Sequence, residues 1–229
     1  MEEKELQIGI DLSLASREVI EILLDDFSDP GVFGEVAREN VNRPDILALI
    51  LEHPYASEEA KAIASEKLNL PALQRSEIAN VGARAEKTKE MRPESLMQKI
   101  QKLTVSQRIQ LALRGGREIR GILVKDPNKE VSLSVLQNGK ITETEVEMMA
   151  KNRFTLEEAL RRIAKNKEWM KKYAVVFGLV TNPKTPPGIA VGLVNEIKVK
   201  DLDLLGKNKN VSEAVRSAAK RLLSVRKKH

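Results

Sequence analysis

The sequence predicts an all-α protein, an α-solenoid in which short antiparallel helices form a superhelical stack, in one array or two subarrays. Five segments follow one template, a polar or turn-forming residue with small or apolar residues seven and eleven positions on. Residues four apart share one face of a helix, so each segment predicts a short helix with a narrow apolar stripe. Aromatic residues are only 3% of the chain, which suits thin, closely packed helices. The segments open at His53, Gly139, Asn152, Asn182 and Asn208; position seven holds Ala60, Val146, Ala159, Ile189 and Val215; position eleven holds Ala64, Ala150, Ile163, Leu193 and Ala219.

Residues 1–70 are predicted to form acidic N-terminal helical repeats, because they include 16 acidic and 6 basic side chains. Ser16 and Ser57 are candidate N-caps, because a serine hydroxyl can accept the first free backbone N–H groups of a helix. The helix after Ser16 carries Val19, Ile20, Leu23, Leu24 and Phe27 on one side, and further helices are predicted over Phe33–Glu39, Asp45–Glu52 and the segment with Ala60 and Ala64.

Residues 71–95 predict a polar linker or a loosely packed helix. This segment contains Pro71, Gly82 and the charge-dense run from Arg84 to Pro93, and it includes few large apolar residues.

Residues 96–229 are predicted to form a basic C-terminal helical-repeat array. Its predicted helices are Glu94–Lys102, Ser106–Arg114, Arg117–Lys125, Lys129–Gln137, Glu143–Lys151, Leu156–Lys165, Glu168–Thr181, Pro187–Glu196, Lys200–Leu205 and Ser212–Arg226.

Within Lys129–Gln137, Val131, Leu133 and Val135 alternate as in a strand, while Val131, Val135 and Leu136 fit a helix. A single strand would have no partner in this chain, which favours the helix.

Asparagine residues mark the breaks between the C-terminal helices, 10 to 16 residues apart. Asparagine tolerates the left-handed backbone conformation that ends helices and bonds to the local backbone, so it suits such corners. Four hydroxyl residues are candidate caps for the next helices, and the pairs Thr142/Glu145 and Thr155/Glu158 have the spacing of a capping box. The breaks fall near Asn128, Asn138, Asn152, Asn166, Asn182, Asn195 and Asn208, and the candidate caps are Thr142, Thr155, Thr185 and Ser212.

These units resemble bacterial HEAT-like repeats and the related leucine-rich repeat variants, in which short helices alternate with tight turns. The resemblance covers about residues 104–226 well and 17–68 weakly. It implies a surface presented to other proteins and no catalytic residues. The segments that carry it are Leu123-Val-Lys-Asp-Pro127, Asn138-Gly-Lys-Ile-Thr142, Asn182-Pro-Lys-Thr-Pro186 and Leu205-Gly-Lys-Asn-Lys-Asn-Val211.

Several classes of chemistry find no motif in the sequence. The chain has no cysteine, which excludes disulfides, thiol nucleophiles and cysteine-ligated zinc. Of its two histidines, His229 is the last residue and His53 precedes Pro54 in a turn, so no metal site, cofactor or Ser/His/Asp set is expected. Gly115-Gly116 predicts a corner between two helices rather than a phosphate loop. The acidic start and an apolar run of only eight residues, Tyr173–Val180, predict a cytoplasmic protein without a membrane span.

Two groups of side chains are candidate binding residues. Trp169 is the single tryptophan, and tryptophan is enriched among binding hot spots, although packing between helices is the more common role for such a residue. Candidates for contact with a protein partner are Trp169, Tyr173, Arg161, Arg162, Lys165 and Lys172. Candidates for contact with a polyanion are Arg114, Arg117, Arg120 and Lys125.

The leading functional hypothesis is a non-enzymatic adaptor that binds another protein through its repeats. The alternative is nucleic-acid or other polyanion binding by the basic C-terminal face, because residues 71–229 contain 33 basic and 17 acidic side chains. A third hypothesis is that the acidic N-terminal third docks onto the basic array.

Overall fold

The computed structural model describes residues 11–26, 29, 31–68 and 95–226, and every regular element in these ranges is a helix. The prediction of an all-α protein is therefore confirmed. None of these helices combines the length and the apolar character that a membrane crossing requires. The α-helices are α1 Arg17–Leu24, α2 Val32–Glu39, α3 Pro44–Glu52, α4 Glu58–Lys67, α5 Leu96–Gln101, α6 Val105–Arg114, α7 Arg117–Leu123, α8 Lys129–Ser134, α9 Glu143–Lys151, α10 Glu157–Lys165, α11 Lys167–Met170, α12 Tyr173–Thr181, α13 Pro187–Leu193, α14 Val199–Lys207 and α15 Glu213–Arg226. Short 3₁₀ helices cover Leu12–Leu14, Val135–Gln137 and Val194–Glu196.

The chain forms two compact units, residues 1–140 (unit 1) and residues 141–229 (unit 2). The predicted linker over 71–95 lies outside the described residues except for Ser95, which is the N-cap of α5. By formal charge, unit 1 has 20 basic and 23 acidic residues, a balance of −3, and unit 2 has 19 basic and 10 acidic residues, a balance of +9.

Helix α1 is central to unit 1. Ser16 caps it by accepting the Val19 N–H at 3.4 Å, as predicted, and Val19, Ile20 and Leu23 are buried. The helix contacts α2 and α3, which precede residue 69, and α5 and α6, which follow residue 94. Phe27, which was predicted to share this apolar face, lies outside the described residues.

Ion pairs accompany the packing of residues 11–68 against residues 95–140 in unit 1. Asp25 bonds to Lys99 at 2.5 Å, Glu39 to Arg114 at 2.7 Å, and Asp29 to Lys140 at 2.6 Å. These three ion pairs join acidic side chains of the N-terminal third to basic side chains of residues 95–140.

Gly115 and Gly116 form a helix–helix corner in unit 1, as predicted, because α6 ends at Arg114 and α7 begins at Arg117. A Cβ atom on Gly115 would lie 2.5 Å from Ile119 Cγ2 and 2.7 Å from the Leu111 carbonyl oxygen. The close packing of the two helices therefore requires glycine at position 115.

Unit 2 consists of three helical hairpins, α9–α10, α12–α13 and α14–α15, with α11 between the first two. Helix α9 packs on α12, and α13 packs on α15. The three hairpin turns begin at Asn152, Asn182 and Asn208, which are template positions. The buried residues shared by the last two hairpins are Val176, Val180, Ala190, Val194, Ile197, Leu202, Leu205, Val211, Val215 and Ala219.

The apolar stripe that defined the template is buried in four of the five segments, where positions seven and eleven are at most 1% exposed. In the fifth segment, Ile189 and Leu193 are only half-buried, and the next residues, Ala190 and Val194, are the buried pair. Helix α13 begins five residues after Asn182, as α10 and α15 begin five residues after Asn152 and Asn208, so the later register does not come from a different start of the helix.

Asparagine lies at the predicted corners for a different reason from the predicted one. Asn128, Asn138, Asn152, Asn166, Asn182 and Asn208 each cap a helix, whereas Asn195 lies inside a 3₁₀ helix. Their φ angles lie between −65° and −81°, so none is left-handed. The side-chain amide, and not backbone tolerance, makes asparagine suitable there.

One of the two predicted capping boxes forms. Thr142 and Glu145 cap each other's backbone groups. The N-cap position of α10 is instead Leu156, without a side-chain hydrogen bond, and the Thr155 hydroxyl donates to the Met149 carbonyl at 2.7 Å. Thr185 does not cap α13 either, because Pro186 is its N-cap, and the buried Thr185 hydroxyl has no hydrogen-bond partner among the described residues.

The predicted helix over Glu168–Thr181 is wrong, because α11 and α12 are separated by an extended Lys172 (φ −89°, ψ 112°). The predicted helix over Lys129–Gln137 is confirmed as α8 followed by a 3₁₀ turn. Residues 131–136 are all buried, which explains why this segment has no clear helical or strand period.

Candidate interaction surface

The three hairpin turns of unit 2 share one local geometry. The side-chain Oδ1 of the first residue accepts the backbone N–H of the residue two positions on. The N–H of Phe154 donates to Asn152 at 2.9 Å, that of Lys184 to Asn182 at 3.0 Å, and that of Asn210 to Asn208 at 2.9 Å. This Asx turn reverses the chain within a few residues. The third residue of each turn is solvent-exposed as a result.

Asn182 also joins its own turn to the preceding one. Its Nδ2 donates to the carbonyl oxygens of Ala150 at 2.8 Å and Asn152 at 3.0 Å, which belong to the end of α9 and the first turn. Helix α12 comes close enough because Gly178 faces Ala150, where a Cβ would lie 3.1 Å from the alanine Cβ. The turns 152–155 and 182–185 are therefore neighbours on the surface of unit 2.

Four exposed side chains on these neighbouring turns form what we term the turn-edge patch: Arg153, Phe154, Pro183 and Lys184. Phe154 is 79% exposed, the highest value among the large apolar residues described. Neither Arg153 nor Lys184 has a carboxylate partner among the described residues. The patch thus combines an uncovered aromatic ring with two unpaired cations.

The cations of unit 2 outnumber the carboxylates that could neutralise them. Six of its ten carboxylates form ion pairs with nearby Lys or Arg, Glu145 caps α9, and Asp201 accepts from Tyr173. Eleven cations have no carboxylate partner within the described part of the unit; Lys198 lies over the Tyr173 ring, Arg226 donates to backbone carbonyls, and nine remain. They are Arg153, Arg162, Lys165, Lys167, Lys184, Lys200, Lys209, Lys220 and Arg221.

Tyr173, a predicted partner-binding residue, makes internal contacts. Its hydroxyl donates to the Asp201 carboxylate and accepts the Lys198 backbone N–H at 3.3 Å, and the Lys198 ammonium lies 4.5 Å from its ring centre. Burial and then the Asp201 carboxylate raise the pKa of Tyr173. These contacts connect α12 to the start of α14. Trp169, half-buried in α11, has its backbone N–H bonded to Asn166.

The other predicted partner-binding residues are basic. Arg161 pairs with Glu157 at 2.6 Å and Lys172 with Glu143 at 2.7 Å, both on the surface. Arg162 and Lys165 have no carboxylate partner among the described residues. Among the described residues, no hydrogen bond or ion pair joins these four side chains to the turn-edge patch.

Two of the four predicted polyanion-binding residues in unit 1 are occupied by internal contacts. Arg114 pairs with Glu39, and Arg120 is 4% exposed with its Nη1 donating to the Gly115 carbonyl at 3.0 Å. Arg117 and Lys125 are exposed. Arg120 therefore does not face solvent and supports the corner between α6 and α7.

A shallow cleft of about 210 Å³ in unit 1 contains charged side chains that the sequence analysis did not bring together. His53 Nδ1 accepts the Tyr55 N–H at 3.3 Å, so the proton of the neutral ring lies on Nε2, 3.8 Å from Asp25 Oδ1. Lys99 bonds to the other carboxylate oxygen. The His53 imidazole and the Lys99 ammonium lower the pKa of Asp25 against an opposing contribution from burial. No group of three or more His, Asp or Glu suited to a metal ion occurs among the described residues.

Phe154 is the residue that the sequence analysis missed in unit 2. It stands two positions after Asn152, and Tyr55 stands two positions after His53; both aromatic side chains are exposed. An apolar residue at this template position is the signal that could have identified it.

No protein family, curated protein or solved structure matches this chain.

Proposed function

We propose that this protein is a non-enzymatic interaction scaffold of the helical-repeat, α-solenoid type, and that unit 2 binds a protein partner. The observation that carries the proposal is the turn-edge patch, in which Phe154 is 79% exposed and the neighbouring turns also carry Arg153 and Lys184, two cations without a carboxylate partner among the described residues. Burying a phenylalanine side chain contributes about 2 kcal/mol. A solvent-exposed ring on a surface gains that free energy only when a partner covers it.

The local structure also supports a binding role, because the patch is held in place before any partner arrives. Asn182 fixes one turn to the other, and the backbone N–H groups of Thr155 and Thr185 close each turn at 3.0 and 3.1 Å. A preorganised surface loses little conformational entropy on association, which favours affinity.

Site-specific photo-crosslinking in the source cells tests this proposal. A photoreactive phenylalanine analogue is placed at Phe154 and, as a matched control, at Leu204, an exposed residue of α14 in the same unit. We expect a defined protein adduct from position 154 and none from position 204. An adduct that nuclease removes, or equal labelling at both positions, contradicts the proposal.

The second candidate function is polyanion binding, and the charge of unit 2 favours it. Unit 2 has a formal charge of +9 and eleven cations without a carboxylate partner among the described residues. Unit 1 has a formal charge of −3, and its Arg114 and Arg120 are bound to Glu39 and to the Gly115 carbonyl. Fluorescence anisotropy with single-stranded DNA and double-stranded RNA, measured at low and high salt, tests it. Phosphate contacts require affinity that falls steeply with salt, so weak or salt-independent binding eliminates this function.

A further inference from the structure

We infer that the turn-edge patch recognises an acidic protein segment that also carries an apolar side chain, with Phe154 as the apolar anchor and Arg153 and Lys184 as the carboxylate-binding groups. This inference rests on the proposed function and specifies the chemistry of the partner.

The acidic character of the partner follows from charge complementarity. Arg153 and Lys184 lie on neighbouring turns and have no carboxylate partner in the described residues, while most carboxylates of unit 2 are already paired. An acidic partner gains two ion pairs without displacing an existing one. A basic partner meets the +9 charge of the unit and is repelled.

The apolar character of the partner follows from Phe154. Its ring is 79% exposed and adds apolar area to the patch, and a purely acidic chain would leave this area in contact with water. A leucine or aromatic side chain packed on the ring removes this area from water, as anchor residues do at the centres of interfaces.

Protein fits the patch better than single-stranded nucleic acid. Proteins that bind single strands stack successive bases on several aromatic rings. Among the described residues of unit 2, Phe154 is the one exposed aromatic, and Trp169, Tyr173 and Phe177 are half-buried. One ring with two cations matches a short peptide contact rather than a run of stacked bases.

Fluorescence anisotropy with defined probes and the full chain tests the inference. The probes are a labelled peptide of alternating glutamate and leucine, a glutamate–serine peptide of equal charge, and an oligothymidine of similar charge. The protein variants are Phe154→Ala, Arg153→Glu with Lys184→Glu, and, as the control with the same charge change, Lys200→Glu with Arg221→Glu on α14 and α15. Thermal unfolding verifies that each variant is folded.

At about 150 mM salt, we expect the glutamate–leucine peptide to bind most tightly. Phe154→Ala and the double charge reversal in the patch should each weaken this binding about tenfold or more, and the control reversal less than about threefold. Phe154→Ala should leave binding of the glutamate–serine peptide unchanged.

Three results overturn the inference. Equal losses from the patch and control reversals show that only net charge attracts the peptide. Failure of both peptides to bind, while crosslinking at position 154 still captures a protein, removes the acidic segment and leaves the proposed function in place. Tighter binding of oligothymidine that depends on the patch assigns the surface to nucleic acid and contradicts both proposals.

Discussion

The contact between the two neighbouring turns can be broken by a single atom exchange, Asn182→Asp. Asn182 is 4% exposed; its Oδ1 accepts the Lys184 N–H, and its Nδ2 donates to the carbonyls of Ala150 and Asn152. Aspartate keeps the acceptor and the shape. It replaces the amino group by an oxygen that faces two carbonyl oxygens.

The expected cost follows from these contacts. Two hydrogen bonds of about 1 kcal/mol each are lost, and the buried Ala150 carbonyl is left without the side-chain donor, which adds about 1–3 kcal/mol. The total is about 3–5 kcal/mol, a large part of the stability of a small unit. Asn208→Asp is the matched control: Asn208 also ends a helix and accepts the Asn210 N–H, but its side chain donates no hydrogen bond among the described residues. Any effect of the new charge on the helix dipole is common to both variants.

Urea unfolding at neutral pH, followed by tryptophan fluorescence, measures this difference. Trp169 is the single tryptophan and lies in unit 2, so its emission reports the unit that contains both substitutions. We expect Asn182→Asp to lower the free energy of unfolding by about 3–5 kcal/mol more than Asn208→Asp, with similar m-values. If the two variants lie within about 1 kcal/mol of each other, the amide contact between the turns is not formed and the reasoning fails.

Three further predictions concern other buried contacts. Gly115→Ala should destabilise the protein by about 1–3 kcal/mol through overpacking. Gly121→Ala places a Cβ in open space within a helix and should stabilise the protein by up to about 1 kcal/mol. Equal effects of the two substitutions in thermal unfolding would contradict the packing at position 115. Thr155→Val should lower the free energy of unfolding by about 1 kcal/mol, because the Thr155 hydroxyl is hydrogen-bonded to a backbone carbonyl. Thr185→Val should be neutral or stabilising, because the Thr185 hydroxyl has no hydrogen-bond partner among the described residues. Urea unfolding monitored by tryptophan fluorescence measures both changes. The pKa of Asp25 lies below its ordinary value of 3.8, so its contribution to stability is present above that pH and is lost as the pH falls through the lower folded value. Asp25→Asn should remove this acid-side slope of the free energy of unfolding against pH. Identical slopes in the two proteins would show that Asp25 is not stabilised by its neighbours.

Local signals in the sequence were sufficient to predict most helices and their ends. Ser16, Ser57 and Thr142 cap helices as expected, because a hydroxyl residue before an apolar period specifies its own partner three residues on. The apolar stripe at template positions seven and eleven is buried for the same reason, since the helical period alone decides which residues share a face. These features depend on residues within one or two turns of each other.

Contacts between distant residues could not be read in this way. Lys99 meets Asp25 across 74 positions, and the Asn182 amide meets a carbonyl 32 positions earlier. Next to the break at Lys172, the Tyr173 hydroxyl likewise bonds to Asp201, 28 positions later in another helix. Tertiary packing decides such partners, and helix propensity carries no information about them.

The template itself gains a physical explanation from the contrast between His53 and Asn182. Both residues end a helix and use one side-chain atom, Nδ1 or Oδ1, to accept the backbone N–H two residues on, which is why histidine can replace asparagine in the turn. The second polar atom is free to differ: Nδ2 of Asn182 holds a neighbouring turn, and Nε2 of His53 faces Asp25. In the four segments that open with His or Asn, the acceptor therefore forms the turn, and the remaining nitrogen distinguishes one turn from another; Gly139, which opens the fifth segment, has no such acceptor. Because the third residue of each turn is exposed whichever partner that nitrogen takes, an aromatic ring such as Phe154 gains nothing for the fold there, and its position favours a role in binding.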